Sequence, residues 1–312
     1  MCVALGVDLL GEPPTAWHPV AWYGRLIKHL EQAAPKHPLA QLGYGAGILL
    51  LAAPVAILPT VAVQRFARWL GARLIQRGNP AGGSVFYALI MGTSLKPFFA
   101  LSMLARAGRS VRLCLERDDL PAARDALQSL VSRERSQLTK ELAAAATIES
   151  LAENLNDAVV APLLYYSLFG LPGAAVYRLC NTFDSMIGYH GQYEYLGKAA
   201  ARLDDVLNLL PARLTALFII VCAPLFGGQC GNAWRIWRRD ARRTASPNAG
   251  HPMAAAAGAL GVQLEKVQHY VLGDNEQPIT PESIGQAEHM VWCVGCAAII
   301  LMLLLPRVRA RG

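Results

Sequence analysis

Long apolar stretches alternate with polar ones along the chain and predict membrane-spanning helices. The clearest covers 42–63, where 22 consecutive residues carry no charge. At about 1.5 Å per residue, such a helix reaches roughly 33 Å, enough to cross the hydrocarbon core of a bilayer. The other apolar stretches are 84–105, 158–177, 207–227 and 290–306. The pattern therefore predicts about four to five spans.

Two of the weaker stretches are interrupted. Lys96 lies inside 84–105, so its ammonium either faces the protein interior in a functional role or extends to the membrane interface. Prolines and glycines punctuate 158–177, which we interpret as a broken or re-entrant pair of half-helices. The stretch 290–306 has only 17 residues and predicts a short last span. Orientation stays open, because basic residues on both sides of this last span favour the cytoplasmic face.

Polar segments between these stretches predict amphipathic helices in the loops. The segments are 109–157, 178–206 and 228–289. In the first, Asp118 and Asp119 precede Leu120 and Pro121, which predicts that one helix ends and another begins there. The sequence therefore predicts an all-α, polytopic integral membrane protein that forms one membrane-embedded domain over 1–312.

Composition agrees with a membrane protein. Of 312 residues, 54% are apolar and only 16% are charged, whereas soluble domains carry about 25% charged residues. The net charge is +7, but the basic residues flank apolar segments, which suits lipid headgroups. We expect no nucleic-acid partner, because no nucleic-acid-binding module is visible. Seven cysteines, an odd number, predict no disulfide framework, and we expect neither a zinc site nor a cleaved signal peptide.

Three carboxylates in the first polar segment recur at every fourth residue. On an α-helix this spacing places Glu149, Glu153 and Asp157 on one face, where they repel one another unless a cation is present. No lysine or arginine lies between Lys140 and Arg178. The cation would come from elsewhere in the fold, from a substrate, or as Mg²⁺, which often binds one or two carboxylates plus phosphate oxygens. A solvated helix face is the alternative.

A second polar group lies where the broken apolar stretch ends and the next span begins. Asn181 and Asp184 form either a helix cap or a site at the membrane surface. Lys198 and Arg202 are one helical turn apart and would together bind one phosphate. Interfacial anchoring explains these two cations equally well, but it does not explain the adjacent acids Asp204 and Asp205.

A third candidate is the turn SPNAG at 246–250, which follows an arginine-rich segment. The helix predicted after this turn would offer free backbone N–H groups to an anion. A turn and helix cap without a ligand is the alternative. The chain has no phosphate-binding P-loop, no G-x-S-x-G elbow and no H-E-x-x-H motif.

Several of these stretches resemble the adenosylcobinamide-phosphate synthases, the CbiB/CobD family of cobalamin biosynthesis. The similar blocks are SRERSQL (132–138), IESLAENLNDAVVAPL (148–163), YRLCNTFDSMIGY (177–189), ARLDDVLNLLPARLTAL (201–217) and RRDARRTASPNAGHPMAAAAGALGVQL (238–264). The opening VDLLGEPPTAWHPVAWYGRLI (7–27) also resembles the family, with Glu12 where a GDP-like triplet is usual.

The resemblance implies a multi-pass protein of the bacterial inner membrane that acts as an ATP- and Mg²⁺-dependent ligase. Such an enzyme joins adenosylcobyric acid to (R)-1-amino-2-propanol O-phosphate, or to the related amino alcohol, through an amide bond. The product is adenosylcobinamide phosphate, so the adenosylated corrinoid is a substrate. The lipid bilayer is a partner, and a homo-oligomer stays open.

The resemblance also implies roles for the polar residues. Glu149, Glu153 and Asp157 would hold Mg²⁺ or receive the amine as an ammonium, and the second catalytic carboxylate group would be Asp184, Asp204 and Asp205. The residues that would bind substrate or phosphate are Arg133, Asn154, Asn181, Lys198, Arg202, Arg242, Ser246, Asn248 and Gly250. Two other classes stay open: a non-catalytic membrane sensor or scaffold of the AmpE-like type, and a corrinoid transporter.

Overall fold

The computed structural model describes residues 1–131, 136–189 and 191–304, and over these the protein is almost entirely helical. Four helical segments are long and apolar enough to cross a membrane. They are Pro38–Gln76, Pro80–Glu116, Lys198–Phe226 and Pro281–Leu304. The predicted all-α, polytopic membrane class is confirmed: the predicted spans 42–63 and 84–105 lie within these segments, and 207–227 and 290–306 overlap them.

The helices begin and end as follows. They are α1 (Cys2–Leu10), α2 (Pro19–Gln32), α3 (Pro38–Gln76), α4 (Pro80–Leu95), α5 (Leu101–Glu116), α6 (Leu120–Ala126), α7 (Lys140–Leu155), α8 (Ala161–Phe169), α9 (Leu171–Ile187), α10 (Lys198–Cys222), α11 (Cys230–Asp240), α12 (Gly250–Leu260) and α13 (Pro281–Leu304). Short 3₁₀ turns cover Thr15–Trp17, Lys96–Phe98, Leu127–Ser129 and Ala223–Phe226, and a π-helical turn covers Asn156–Val160. Strands β1 (Leu264–Lys266) and β2 (Tyr270–Leu272) form an antiparallel hairpin in which Lys266 pairs with Tyr270.

The chain divides into two compact units, each built from separate stretches of sequence. The first unit contains Met1–Ala100, Ala161–Leu207 and the chain from Met302, and the second contains Leu101–Val160 and Asn208–Leu301. Helices α10 and α13 each run from one unit into the other. That the whole chain forms one membrane-embedded domain stays a prediction.

In the first unit, the broken apolar stretch forms a helical hairpin. Helices α8 and α9 pack against each other and are separated by Gly170, whose φ of +72° favours glycine. A Cβ at Gly173 would overlap the carbonyl oxygen of Tyr165, so the helices approach closely at that glycine. The predicted break is confirmed. In contrast, the prediction of a short last span is wrong, because α13 begins at Pro281 and has 24 residues.

Lys96 does not extend to the interface. Its side chain is 2% exposed, and its Nζ lies 3.0 Å from Asp8 Oδ1 and 2.6 Å from Glu12 Oε1. Glu12 Oε2 lies 3.5 Å from His18 Nε2. The lysine that interrupts the apolar stretch is therefore the buried centre of an ionic cluster in the first unit. We call it the N-terminal ionic cluster (Asp8, Glu12, His18 and Lys96).

In the second unit, α7 packs against α5, α12 and β1. Two alanine runs explain its close contact with α12: residues 143–146 of α7 and 254–257 of α12 are all buried. Small side chains allow two helix backbones to approach closely. The predicted helix boundary near Asp119 is confirmed, because α5 ends at Glu116 and Asp119 Oδ1 caps α6 by accepting from Ala122 N at 3.0 Å.

Candidate functional site

The second unit contains a polar cavity of about 140 Å³ against α7. Glu149, Glu153 and Ser150 line it from α7, while Lys266 and Tyr270 line it from the β-hairpin; Leu130, Val131 and Ala146 complete the lining. Glu149 is 5% exposed and Glu153 is exposed. Two carboxylates, an ammonium and a phenol therefore border one space, which we call the acidic cavity.

Helix geometry explains why two of the three predicted carboxylates share this cavity and the third does not line it. Glu149 and Glu153 are one turn apart on α7, whereas Asp157 follows the end of that helix and lies in the π-helical turn Asn156–Val160. A π-helical turn has a wider repeat than an α-helix, so the regular spacing is interrupted before Asp157. The expectation of one α-helical face with three carboxylates is thus corrected.

Asp157 instead joins a buried network of amides. Asn156 Nδ2 donates to Asp157 Oδ1 at 2.7 Å and to Asn208 Oδ1 at 2.8 Å. The remaining oxygen, Asn156 Oδ1, accepts from Thr215 Oγ1 at 3.2 Å. Every polar atom of the Asn156 amide has a partner inside the protein, so the network fixes the π-helical turn against α10.

The acidic cavity is compatible with magnesium. Over the described parts of the chain, no three His, Cys, Asp or Glu side chains converge as ligands of a metal ion. Mg²⁺ is nevertheless commonly bound by only one or two carboxylates together with substrate phosphates and water. Glu149 and Glu153 supply two such carboxylates to one cavity, and they are the residues that would hold the ion.

Asn154 forms hydrogen bonds within α7 and, unlike Glu149 and Glu153, does not line the cavity. Its Nδ2 donates to the carbonyl oxygen and the hydroxyl of Ser150 at 2.9 and 3.0 Å. Ser150 Oγ in turn donates to Leu130 O at 2.7 Å. Through Ser150, these bonds connect Leu130, another lining residue of the acidic cavity, to α7. Arg133, also predicted to bind phosphate, lies outside the described residues.

The second predicted carboxylate group lies in the first unit. Arg178 Nη1 donates to Asn181 Oδ1 at 3.2 Å, and Asn181 Nδ2 donates to Asp204 Oδ1 at 3.4 Å. Asn181 and Asp204 are 7% and 9% exposed. The structure therefore brings Asn181 and Asp204 together, and it adds Arg178, which the sequence reasoning did not select.

The other predicted residues of the first unit lie nearer the surface. Asp184 and Asp205 are half-buried, and a Cβ at Gly188 would overlap Asp184 Oδ1. Lys198 and Arg202 are exposed at the start of α10, which is consistent with either phosphate binding or interfacial anchoring. Their role in catalysis or binding stays a prediction.

Two polar side chains of the turn before α12 have partners inside the protein, one in the turn's own backbone and one on α10. Ser246 Oγ accepts from the backbone N–H groups of Asn248 and Ala249 at 3.2 and 3.3 Å. Asn248 Oδ1 accepts from Arg213 Nη1 at 3.3 Å. A Cβ at Gly250 would overlap Ala241 O, so glycine is required there. Arg242, just upstream, is exposed.

Sequence reasoning missed residues that only the tertiary structure brings to these sites. Lys266 and Tyr270 reach the acidic cavity through the hairpin pairing, and neither carries a local signal. His251 follows the predicted turn directly and is 7% exposed; its Nδ1 accepts from Trp237 Nε1 at 2.9 Å. The position of Lys96 in an apolar stretch indicated that it would need an oppositely charged partner. It did not indicate which carboxylates would pair with it.

The fold and these sites define a helical, multi-pass membrane protein with buried polar groups in both of its units. A family model described as CobD/Cbib protein matches residues 1–291. The chain belongs to this CobD/CbiB family of cobalamin biosynthesis.

Similar proteins agree with this membership over nearly the full chain. A cobalamin biosynthesis protein CobD of Dehalococcoides mccartyi (strain CBDB1) is 43% identical over 302 residues, which cover 96% of this chain and 94% of the relative. Proteins with the same name from Chromobacterium violaceum and Rhodobacter capsulatus are 39% and 42% identical. The alignment with the Chromobacterium protein covers 99% of this chain and 97% of the relative. The alignment with the Rhodobacter protein covers 86% of this chain and 82% of the relative. No solved structure matches the chain.

Proposed function

We propose that this protein is an amide-forming ligase of cobalamin biosynthesis in the bacterial inner membrane. It joins the free carboxylate of adenosylcobyric acid to the amine of (R)-1-amino-2-propanol O-phosphate, or of the related amino alcohol. ATP activates the carboxylate by phosphorylation, releasing ADP. The amine then attacks the acyl carbon and releases phosphate, which gives adenosylcobinamide phosphate.

The acidic cavity is the observation that carries this proposal. Such a reaction needs groups that hold phosphates, receive an ammonium and accept a proton when the amine attacks. Lys266 would bind a phosphate or carboxylate oxygen, while Glu149 and Glu153 would orient the amine and accept its proton or hold Mg²⁺. A bound Mg²⁺ would neutralise charge on the phosphate oxygens.

The test is a reaction with purified protein in detergent. Adenosylcobyric acid, aminopropanol phosphate, ATP and Mg²⁺ are mixed, and the amide product is sought by mass spectrometry. We expect a product that requires both ATP and Mg²⁺. Corrinoid binding without any product would overturn the ligase proposal and favour a corrinoid transporter or a scaffold of the AmpE-like type.

A further inference from the structure

His251 is a buried histidine at the start of α12 with one nitrogen engaged. Its side chain is 7% exposed, and Nδ1 accepts a hydrogen bond from Trp237 Nε1 at 2.9 Å. The indole nitrogen is a donor only, so Nδ1 carries no proton. The rings of the two residues are 5.9 Å apart and meet edge to face, which fixes the orientation of the imidazole.

The other nitrogen of this histidine is therefore a hydrogen-bond donor. Burial, and after it the charges of Arg213 and Arg242, lower the pKa of His251 to about 4. Near neutral pH the ring is uncharged and its single proton is on Nε2. Among the residues that the structure describes, none accepts a hydrogen bond from Nε2. A buried donor without a protein acceptor costs about 1–3 kcal/mol, so Nε2 is available to donate to a bound ligand.

The charges around His251 indicate the chemical class of ligand that Nε2 would bind. Both cations that act on it are guanidinium groups, and Arg213 is held in place by donating to Leu209 O at 2.7 Å and Asn248 Oδ1 at 3.3 Å. The first turn of α12 adds the positive end of a helix dipole. The acceptor that suits an N–H donor near two guanidinium groups and a helix N-terminus is an oxyanion.

The buried carboxylate of the preceding helix does not fill this role. The buried Asp240, at the end of α11, accepts from Arg239 Nε and Nη2, both at 2.8 Å, and from Gly273 N at 2.9 Å. Arg243 Nη1 lies 3.1 Å from its Oδ1. Asp240 is therefore committed to other partners. Ser246 Oγ accepts from the backbone of the turn, and Asn248 Oδ1 accepts from Arg213.

We propose that His251 Nε2, together with the guanidinium groups of Arg213 and Arg242, forms a binding subsite for a phosphate group. Identifying that phosphate rests on the proposed function, under which it belongs either to ATP or to the amino-alcohol phosphate. Both sources offer the same chemistry, a phosphate oxygen with negative charge. In this arrangement Ser246, Asn248 and Gly250 position the subsite, whereas His251, Arg213 and Arg242 contact the ligand.

The first test measures binding without turnover. Thermal unfolding of the purified protein in detergent is followed with increasing inorganic pyrophosphate, against potassium chloride at equal ionic strength. A ligand that binds only the folded state raises the midpoint. We expect His251→Leu to weaken pyrophosphate binding by about tenfold or more, since one hydrogen bond to a charged group is lost. His251→Gln, which keeps an N–H donor, should retain much of the binding.

Controls separate binding from folding. His29→Leu removes an exposed histidine of α2 and should leave the pyrophosphate effect unchanged. Arg213→Gln gives an independent reduction if His251→Leu lowers the midpoint without ligand. Equal pyrophosphate effects in the wild type and in both His251→Leu and Arg213→Gln would overturn the subsite, as would no effect in the wild type.

Kinetics then identify the source of the phosphate. A raised KM for ATP alone in His251→Leu assigns the subsite to the nucleotide, and a raised KM for the amino-alcohol phosphate alone assigns it to that substrate. Unchanged KM values for both would overturn the role in substrate binding. Pyrophosphate binding that depends on His251, in a protein that forms no amide, would support the subsite and reject the ligase.

Discussion

The two units hold charged side chains in different surroundings. In the N-terminal ionic cluster, the Lys96 ammonium has carboxylate oxygens at 2.6 and 3.0 Å, so it is paired with opposite charge inside the protein. In the acidic cavity, Glu149 and Glu153 border an open space. Charges that are paired inside the protein contribute mainly to the free energy of unfolding. Charges that line a cavity can instead bind a ligand. Substitutions in the two regions should therefore have different consequences.

The largest expected effect is on stability in the N-terminal ionic cluster. Lys96→Met keeps the length of the side chain but leaves Asp8, which is 0% exposed, without its cation. Removal of one partner of a buried pair costs about 3–5 kcal/mol. We expect this loss in the free energy of unfolding, measured by thermal or denaturant unfolding in detergent.

Lys140→Met is the matched control for that change. Lys140 also pairs with an aspartate, Asp118, but both side chains are exposed. Exposed pairs contribute only about 0–1 kcal/mol, so the control should be nearly neutral. A Lys96→Met protein as stable as Lys140→Met would show that the buried cluster does not stabilise the first unit.

The next largest effect is on activity in the acidic cavity. Glu149→Gln and Glu153→Gln keep shape and remove charge, and each should lower turnover by about 100-fold, which corresponds to roughly 2.7 kcal/mol. The unfolding midpoint should change little. The measurement is amide formation by mass spectrometry alongside thermal unfolding.

Glu141→Gln is the control for these variants. Glu141 is exposed in the first turn of the same helix, so its loss should leave turnover unchanged. Full turnover in both cavity variants would contradict the assignment of the site.

Asp205→Asn tests the predicted second carboxylate group in the same assay, where loss of turnover with normal folding is expected.

Fold class was predictable because apolar length is a local property. A run such as 42–63 meets the membrane requirement without knowledge of its neighbours, and it lies within the helix Pro38–Gln76. The break at 158–177 was likewise visible, because Gly170 and the neighbouring prolines act on their own backbone. The start of α13 could not be predicted from hydropathy, because its first turns at 281–289 are polar.

The site was only partly predictable because its walls come from distant parts of the chain. Glu149 and Glu153 follow from helical spacing, but the spacing rule fails at Asp157, where the π-helical turn begins with Asn156. That turn is fixed by Asn208 and Thr215, more than fifty residues away along the chain. Lys266 enters the cavity through strand pairing, which no local pattern specifies.

A smaller loss of stability is expected when the hydrogen-bond network around Asn156 is broken. This network would stabilise the second unit through uncharged amide groups. Asn156 is 3% exposed and all its amide hydrogen bonds are internal. Asn156→Leu would leave Asn208 and Thr215 without this partner and should cost about 2 kcal/mol of unfolding free energy. Asn275→Leu, at an exposed position, is the control. Equal midpoints for the two variants would assign no stabilising role to the network.

The smallest expected effect, counted per pH unit, is the pH dependence of stability that His251 contributes. Burial, and then Arg213 and Arg242, lower its pKa to about 4 in the folded protein, whereas an unfolded chain has a histidine pKa near about 6.5. Between these values the unfolded state binds a proton that the folded state does not. Stability should therefore fall as the pH drops from about 6.5 towards 4, by up to about 1.4 kcal/mol per unit. His251→Gln should reduce this slope in phosphate-free buffer, and an unchanged slope would contradict a buried, neutral His251.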